Sequence, residues 1–116
     1  MSAEFGSLEL CVEQREAGVV VHVRGEVNLY ESDRLRAELK RLVHQRVEQI
    51  VLDLAEMTFI CSDGLGAIIS AHIQCRHHAG RISLVSPCPA VGAMLDATRL
   101  SELFPVRDSV DEALSS

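Results

Sequence analysis

The chain has 116 residues and a mass of 12.7 kDa, the size of one ordinary domain (1–116, with an ordered core expected over about 8–114). Hydrophobic residues make up 47% and charged residues 24%, which excludes a disordered polyelectrolyte, and with three Phe, one Tyr and no Trp the core has to be aliphatic. The net charge of -6, from 11 Lys and Arg against 17 Asp and Glu, argues against nucleic acid or an anionic membrane surface as the main partner. No apolar run approaches the ~20 residues of a membrane span. Residues 1–10 carry Glu4 and Glu9 and no basic start, so they do not read as a signal peptide, and a cytoplasmic location is expected.

In chain order, residues 8–14 alternate apolar and polar at Leu8, Leu10 and Val12, the pattern of a half-buried strand. A turn at Glu16, Ala17 and Gly18 leads into the β-branched run 19–23, a second strand hairpin-paired with the first. Residues 25–30 read as a loop. Residues 31–46 place Leu35, Leu39, Leu42 and Val43 at helical spacing, with Asp33, Arg34, Arg36, Glu38, Lys40 and Arg41 on the other face. Ile50, Val51 and Leu52 form a continuous apolar run within 49–54, a central strand buried on both faces. After a loop at 55–61, residues 62–78 form a second helix, with Ser62 as its N-cap and Gly80 as its stop. A strand at 81–85, a loop at 86–89, a short helix at 91–98, an extended piece at 103–106 and a terminal helical turn at 109–114 complete the chain. Alternating strands and helices imply right-handed crossovers and a mainly parallel sheet. The expected core includes Leu52, Leu54, Leu65, Ile68 and Ile69.

Two clusters look like chemistry. His72, Cys75, His77 and His78 are metal-ligating types, but a helix turns His77 away from the face shared by His72 and Cys75, so they converge poorly and no metal is expected. Cys75 and Arg81 have the Cys-x5-Arg spacing of a cysteine phosphatase loop. That chemistry needs a strand running into a helix N-terminus, where amides hold phosphate and depress the thiol pKa. Here a helix ends and a strand begins, so an enzyme is not expected. Cys11, Cys61, Cys75 and Cys88 form no CxxC pair and read as free thiols in a reducing compartment. No Walker-type glycine loop is present, and no cofactor is expected.

Two further segments carry a resemblance. Val23-Arg24-Gly25-Glu26-Val27-Asn28 follows the second strand, and Asp53-Leu54-Ala55-Glu56-Met57-Thr58-Phe59-Ile60-Cys61-Ser62-Asp63-Gly64-Leu65-Gly66 follows the central one. At this spacing they resemble the two hallmark segments of the STAS domain, the fold of bacterial anti-sigma-factor antagonists, and the resemblance covers nearly the whole chain. It implies an α/β STAS fold: a four- to five-stranded mixed sheet with helices packed mainly on one face. It also implies a binding switch rather than an enzyme. Such a protein docks on an anti-sigma factor that is also a serine kinase and so frees a sigma factor. Phosphorylation of a serine at the start of the second helix ends docking, and a serine phosphatase resets it. The residues placed at the docking surface are Gly25, Glu26, Asn28, Cys61, Ser62, Asp63, Gly64, Leu65 and Gly66, with Gly64 and Gly66 keeping the helix start bare for a partner.

The chain departs from the family pattern at the key position. The residue before Gly64-Leu65-Gly66, usually the phosphorylated serine, is Asp63; a serine is retained at Ser62, the family Asp before it is Cys61, and the Asp of the earlier segment is Asn28. Three readings follow, in order of preference. Ser62 is the phosphoacceptor; or Asp63 is a fixed charge imitating the phosphorylated state; or the switch is lost and a constitutive binding module remains. The alternative function is a phosphorylation-independent STAS subunit of a signalling complex or of a lipid transporter.

Overall fold

The computed structural model describes residues 8–115. The elements run β1 (Glu9–Arg15), β2 (Gly18–Val27), α1 (Leu29–His44), β3 (Gln49–Asp53), β4 (Met57–Ile60), α2 (Ser62–Arg76), β5 (Arg81–Val85), α3 (Pro89–Ala97), a 3-10 turn at Leu100–Glu102, β6 (Val106–Arg107) and α4 (Val110–Ser115). The sheet order is β1-β2-β3-β5-β6, with β4 paired to the far end of β2. Only β1 runs antiparallel, Arg15 lying opposite Gly18 across the hairpin; β2-β3, β2-β4, β3-β5 and β5-β6 are parallel. The sheet thus has six strands where four or five were expected. The extra strand is β4, in the segment read as a loop. Its outer two residues are buried and its middle two exposed, so it lacks the alternation that marks a strand in sequence.

Three helices cover one face of the sheet. Alternate residues of the strands (Val19, Val21, Val23, Ile50, Leu52, Ile82, Leu84) point into one aliphatic core with Leu35, Leu39, Leu42 and Val43 of α1, Ile68 and Cys75 of α2, and Val91 and Leu95 of α3. α4 lies on the opposite face, where Ala113 packs on Val20, Val51 and Val85. This explains why Ile50-Val51-Leu52 is apolar without a break: each face of β3 has a cover. Leu52, Leu54 and Ile68 are buried as expected, but Leu65 and Ile69 are only partly buried. The face α2 turns inward is made instead of Gly64, Ala67, Ile68, Ala71, His72 and Cys75. Small residues let α2 lie close to its neighbours, so its long apolar residues sit at the margin.

Both long helices end on a left-handed residue. The Val47 N–H closes α1 onto the Leu42 carbonyl (3.2 Å) around Arg46, and the Gly80 N–H closes α2 onto the Cys75 carbonyl (2.8 Å) around Ala79. The left-handed stop of α2 is therefore Ala79 rather than Gly80. Gly80 is needed for room, because a Cβ there would lie 3.1 Å from the Glu48 and Val47 carbonyl oxygens. None of the helices described is long and apolar enough to cross a membrane.

Candidate functional site at the start of α2

Strand β2 runs on through Val27 and α1 begins at Leu29, so the expected 25–30 loop shrinks to Asn28 alone. Its register shifts between Gly25 and Glu26, where it leaves β3 and takes up β4. Gly25 makes that bend at φ 94, a left-handed conformation open to glycine, and its N–H reaches the Glu56 carbonyl at 2.9 Å. Glu26 and Val27 then pair with Phe59 and Ile60, and the Cys61 N–H donates to the Val27 carbonyl at 2.9 Å. The two hallmark segments are thus neighbouring parallel strands that deliver the start of α1 and the start of α2 side by side.

Asn28 precedes α1. Its N–H donates to the Glu31 carboxylate (3.2 Å), half of a capping box, and its carbonyl accepts from the Ser32 N–H (2.8 Å). Leu29 and Tyr30, in the first turn, are 71% and 87% exposed. Ser32 is fully buried, and its Oγ lies 2.8 Å from the Asn28 carbonyl oxygen and 3.1 Å from Cys61 Sγ. Its single proton serves one or the other, so the side chain stitches both helix starts together.

Cys61, not Ser62, occupies the N-cap position of α2, its backbone extended and its carbonyl accepting from the Leu65 N–H at 3.0 Å. Burial works to raise the Cys61 thiol pKa, but the Ser32 hydroxyl and the Gly64 and Asp63 backbone N–H groups outweigh it and leave the thiol below its ordinary value. Ser62 and Asp63 are exposed in the first turn, where unpaired amides favour negative charge. Gly66 is open, and nothing would meet a Cβ there. Gly64 is different: it is buried, and a Cβ would come within 2.7 Å of Val27 Cγ1 and 3.0 Å of Ile60 Cγ1. Its lack of a side chain serves the close approach of α2 to β2 rather than a bare surface. Beyond Ile60, an apolar groove of about 220 Å³ opens between Thr58, Phe59 and the Ala90, Val91 and Met94 side of α3.

One residue that the sequence did not single out crosses between the helices. Arg36 of α1 places Nη1 3.5 Å from Asp63 Oδ2, and its Nη2 donates to the Asp63 carbonyl oxygen at 3.3 Å. Arg36 and Ser32 are four residues apart on α1 and so share the face turned to α2. No local motif marks either, because their partners are 27 and 29 residues away.

The clusters that resembled catalytic chemistry are occupied by packing. Cys75 is fully buried in the core, its thiol pushed up by burial, and its Sγ faces the Val47 carbonyl at 3.9 Å. His72 is also buried, its ring 4.7 Å from Phe104 and its Nδ1 accepting from the Ile82 N–H at 3.4 Å, and burial holds its pKa down so that it is neutral. His78 Nε2 donates to the Val47 carbonyl at 2.9 Å, and His77 is exposed. The four side chains have separate surroundings and no common centre.

With this arrangement in hand, comparison with known proteins is decisive at the level of family. The STAS domain pattern matches residues 10–113. The chain belongs to the STAS family. An anti-sigma F factor antagonist of Paenibacillus polymyxa is 27% identical over 110 residues, covering 94% of each chain. The crystal structure of an anti-sigma factor antagonist from Mycobacterium paratuberculosis superposes with a TM-score of 0.85 at 26% identity, over 94% of this chain and 92% of that one. The Bacillus cell fate determinant SpoIIAA in its phosphorylated form shares the fold at 21% identity, with a TM-score of 0.76 over 92% and 97% of the two chains.

Proposed function

We propose that this STAS protein is an anti-sigma factor antagonist that acts by binding. It docks on an anti-sigma factor that is a serine kinase, through the surface formed by Gly25, Glu26, Asn28 and the start of α2, and so releases a sigma factor in the cytoplasm. The kinase phosphorylates Ser62, and a serine phosphatase removes the phosphate. The reading draws on relatives that carry this name over almost their full length. The observation that carries the switch is Ser62 itself: an exposed hydroxyl in the first turn of α2. A phosphate there is tolerated by the helix, whose free amides favour an anion. The same phosphate adds about -1.5 to -2 charge in the middle of the docking surface, which an apolar or acidic partner surface does not accept.

The test is to incubate the purified chain with ATP and the anti-sigma kinase encoded nearest to it, map the phosphosite, and measure docking of each form. Phosphate on Ser62, absent from Ser62→Ala, with docking by Ser62→Ala intact and docking by the phosphoprotein lost, is the expected result. Phosphate incorporated undiminished into Ser62→Ala would refute the acceptor assignment.

A further inference from the structure

Asp63 poses a problem for any phosphate-controlled docking surface, since it puts a permanent carboxylate next to the acceptor. We propose that Arg36 is a charge mask: its guanidinium, reaching across from α1, neutralises Asp63 so that the unphosphorylated surface does not read as phosphorylated. The inference rests on the antagonist reading above and concerns the regulation of that same surface.

The guanidinium grips Asp63 at two points, the side-chain oxygen (3.5 Å) and the backbone carbonyl (3.3 Å), and also donates to Asp33 Oδ1 at 3.2 Å. The planar fork of arginine suits such multiple contacts, which a lysine cannot reproduce. The side chains of Arg36 and Asp63 are 41% and 46% exposed. At that exposure the pair adds little to folding, so its consequence lies in the charge shown to a partner. A docked surface excludes water, and a carboxylate left unpaired there costs far more than it does in solvent. With Arg36 in place Asp63 has a counter-charge, shared with Asp33, and phosphorylation of Ser62 adds about -1.5 to -2 to that cluster. Without Arg36 the cluster is one unit more negative, and Asp63 stands without its counter-charge before any phosphate arrives. The mask therefore keeps the two states of the switch distinct.

The experiment measures calorimetric affinity of the intact chain for the nearest-encoded anti-sigma kinase, using wild type, Arg36→Gln, Arg36→Lys, Asp63→Asn and the Arg36→Gln/Asp63→Asn double variant. Thermal unfolding of each confirms that it folds. Arg36→Gln is expected to weaken docking about tenfold, equivalent to ~1.4 kcal/mol. The double variant should dock within about twofold of Asp63→Asn alone, so that losing Arg36 matters only while the carboxylate is present, and Arg36→Lys should fall between wild type and Arg36→Gln. A merely structural tether would not be rescued by deleting the charge it holds. Unchanged docking by Arg36→Gln, or failure of the double variant to match Asp63→Asn, overturns the mask while leaving the antagonist reading intact. No binding by wild type overturns the antagonist reading and the mask with it.

Discussion

The two faces of the sheet are built to different standards. One carries α1, α2 and α3 and buries leucines, isoleucines and valines from every element of the domain's middle. The other is covered by a single six-residue helix, α4, over Val20, Val51 and Val85. Beside that small cap the sheet is polar: His22 lies between Glu13 (Nε2–Oε1 2.9 Å) and Asp53 (Nδ1–Oδ2 2.7 Å), one residue from each of three adjacent strands. The difference teaches where stability resides and where the candidate site is held. The thick face supplies most of the burial and, at its edge, holds the two helix starts in register. The thin face contributes a small apolar contact and a hydrogen-bonded charge network.

The largest effect should come from the thick face. Leu52→Ala removes a fully buried side chain from the main core and should cost about 2–5 kcal/mol in urea unfolding. Val51→Ala, its neighbour facing α4, loses two methyl-sized groups at ~0.8 kcal/mol each, near 2 kcal/mol with its cavity. Equal losses at the two positions would erase the contrast between the faces.

Glycines sharpen the same point along one helix. Gly64→Ala forces a methyl against Val27 and Ile60, neither of which has a flexible end to move aside, and should destabilise by about 1–3 kcal/mol. Gly66→Ala, two residues on and facing open space, should stabilise by about 0.5–1 kcal/mol by stiffening a helix position. Chemical denaturation of the two variants side by side checks the opposite signs.

The smallest effect is the pH dependence of the thin face. Glu13, and with it Asp53, raises the His22 pKa above its ordinary ~6.5, while His22 holds the Glu13 carboxyl below the usual ~4.3. A raised histidine gives stability that is full below ~6.5 and lost as pH rises through its folded pKa; a depressed glutamate gives stability present above ~4.3 and lost as pH falls through its folded pKa. The network therefore contributes most between about pH 4.3 and 6.5. Wild-type unfolding midpoints should decline from about pH 5.5 to 8.5 more than those of His22→Gln. Parallel profiles for the two proteins would show that the triad is energetically silent.

Much of this was legible in the residues, for reasons that can be named. The central strand announced itself because Ile50, Val51 and Leu52 are buried from both sides, and the α1 stripe because Leu35, Leu39 and Leu42 keep one face of a 3.6-residue period. The two hallmark segments pointed to one corner of the fold, where they are neighbouring parallel strands. What stayed hidden depends on contacts distant in sequence. β4 is a strand because β2 bends at Gly25 to receive it, not because of its own pattern. That α4 lies across the sheet from the other helices is a matter of connection, which its six residues do not encode. Gly64 read as a bare surface because nothing local says that Val27 lies against it. Arg36 read as one of several outer-face charges until the fold brought Asp63 to it.

Tyr30 has a consequence for how the protein can be observed. It is the only tyrosine in a chain without tryptophan, and it stands 87% exposed at the start of α1, two residues after Asn28. Its ring is nearly as wet in the native state as in the unfolded chain. Intrinsic fluorescence should therefore barely register denaturation, yet respond to anything that covers this corner of the molecule. Unfolding is better followed by the amide signal of far-ultraviolet circular dichroism. The tyrosine band is then left as a built-in, label-free optical probe of occupancy at the surface where the two helices begin.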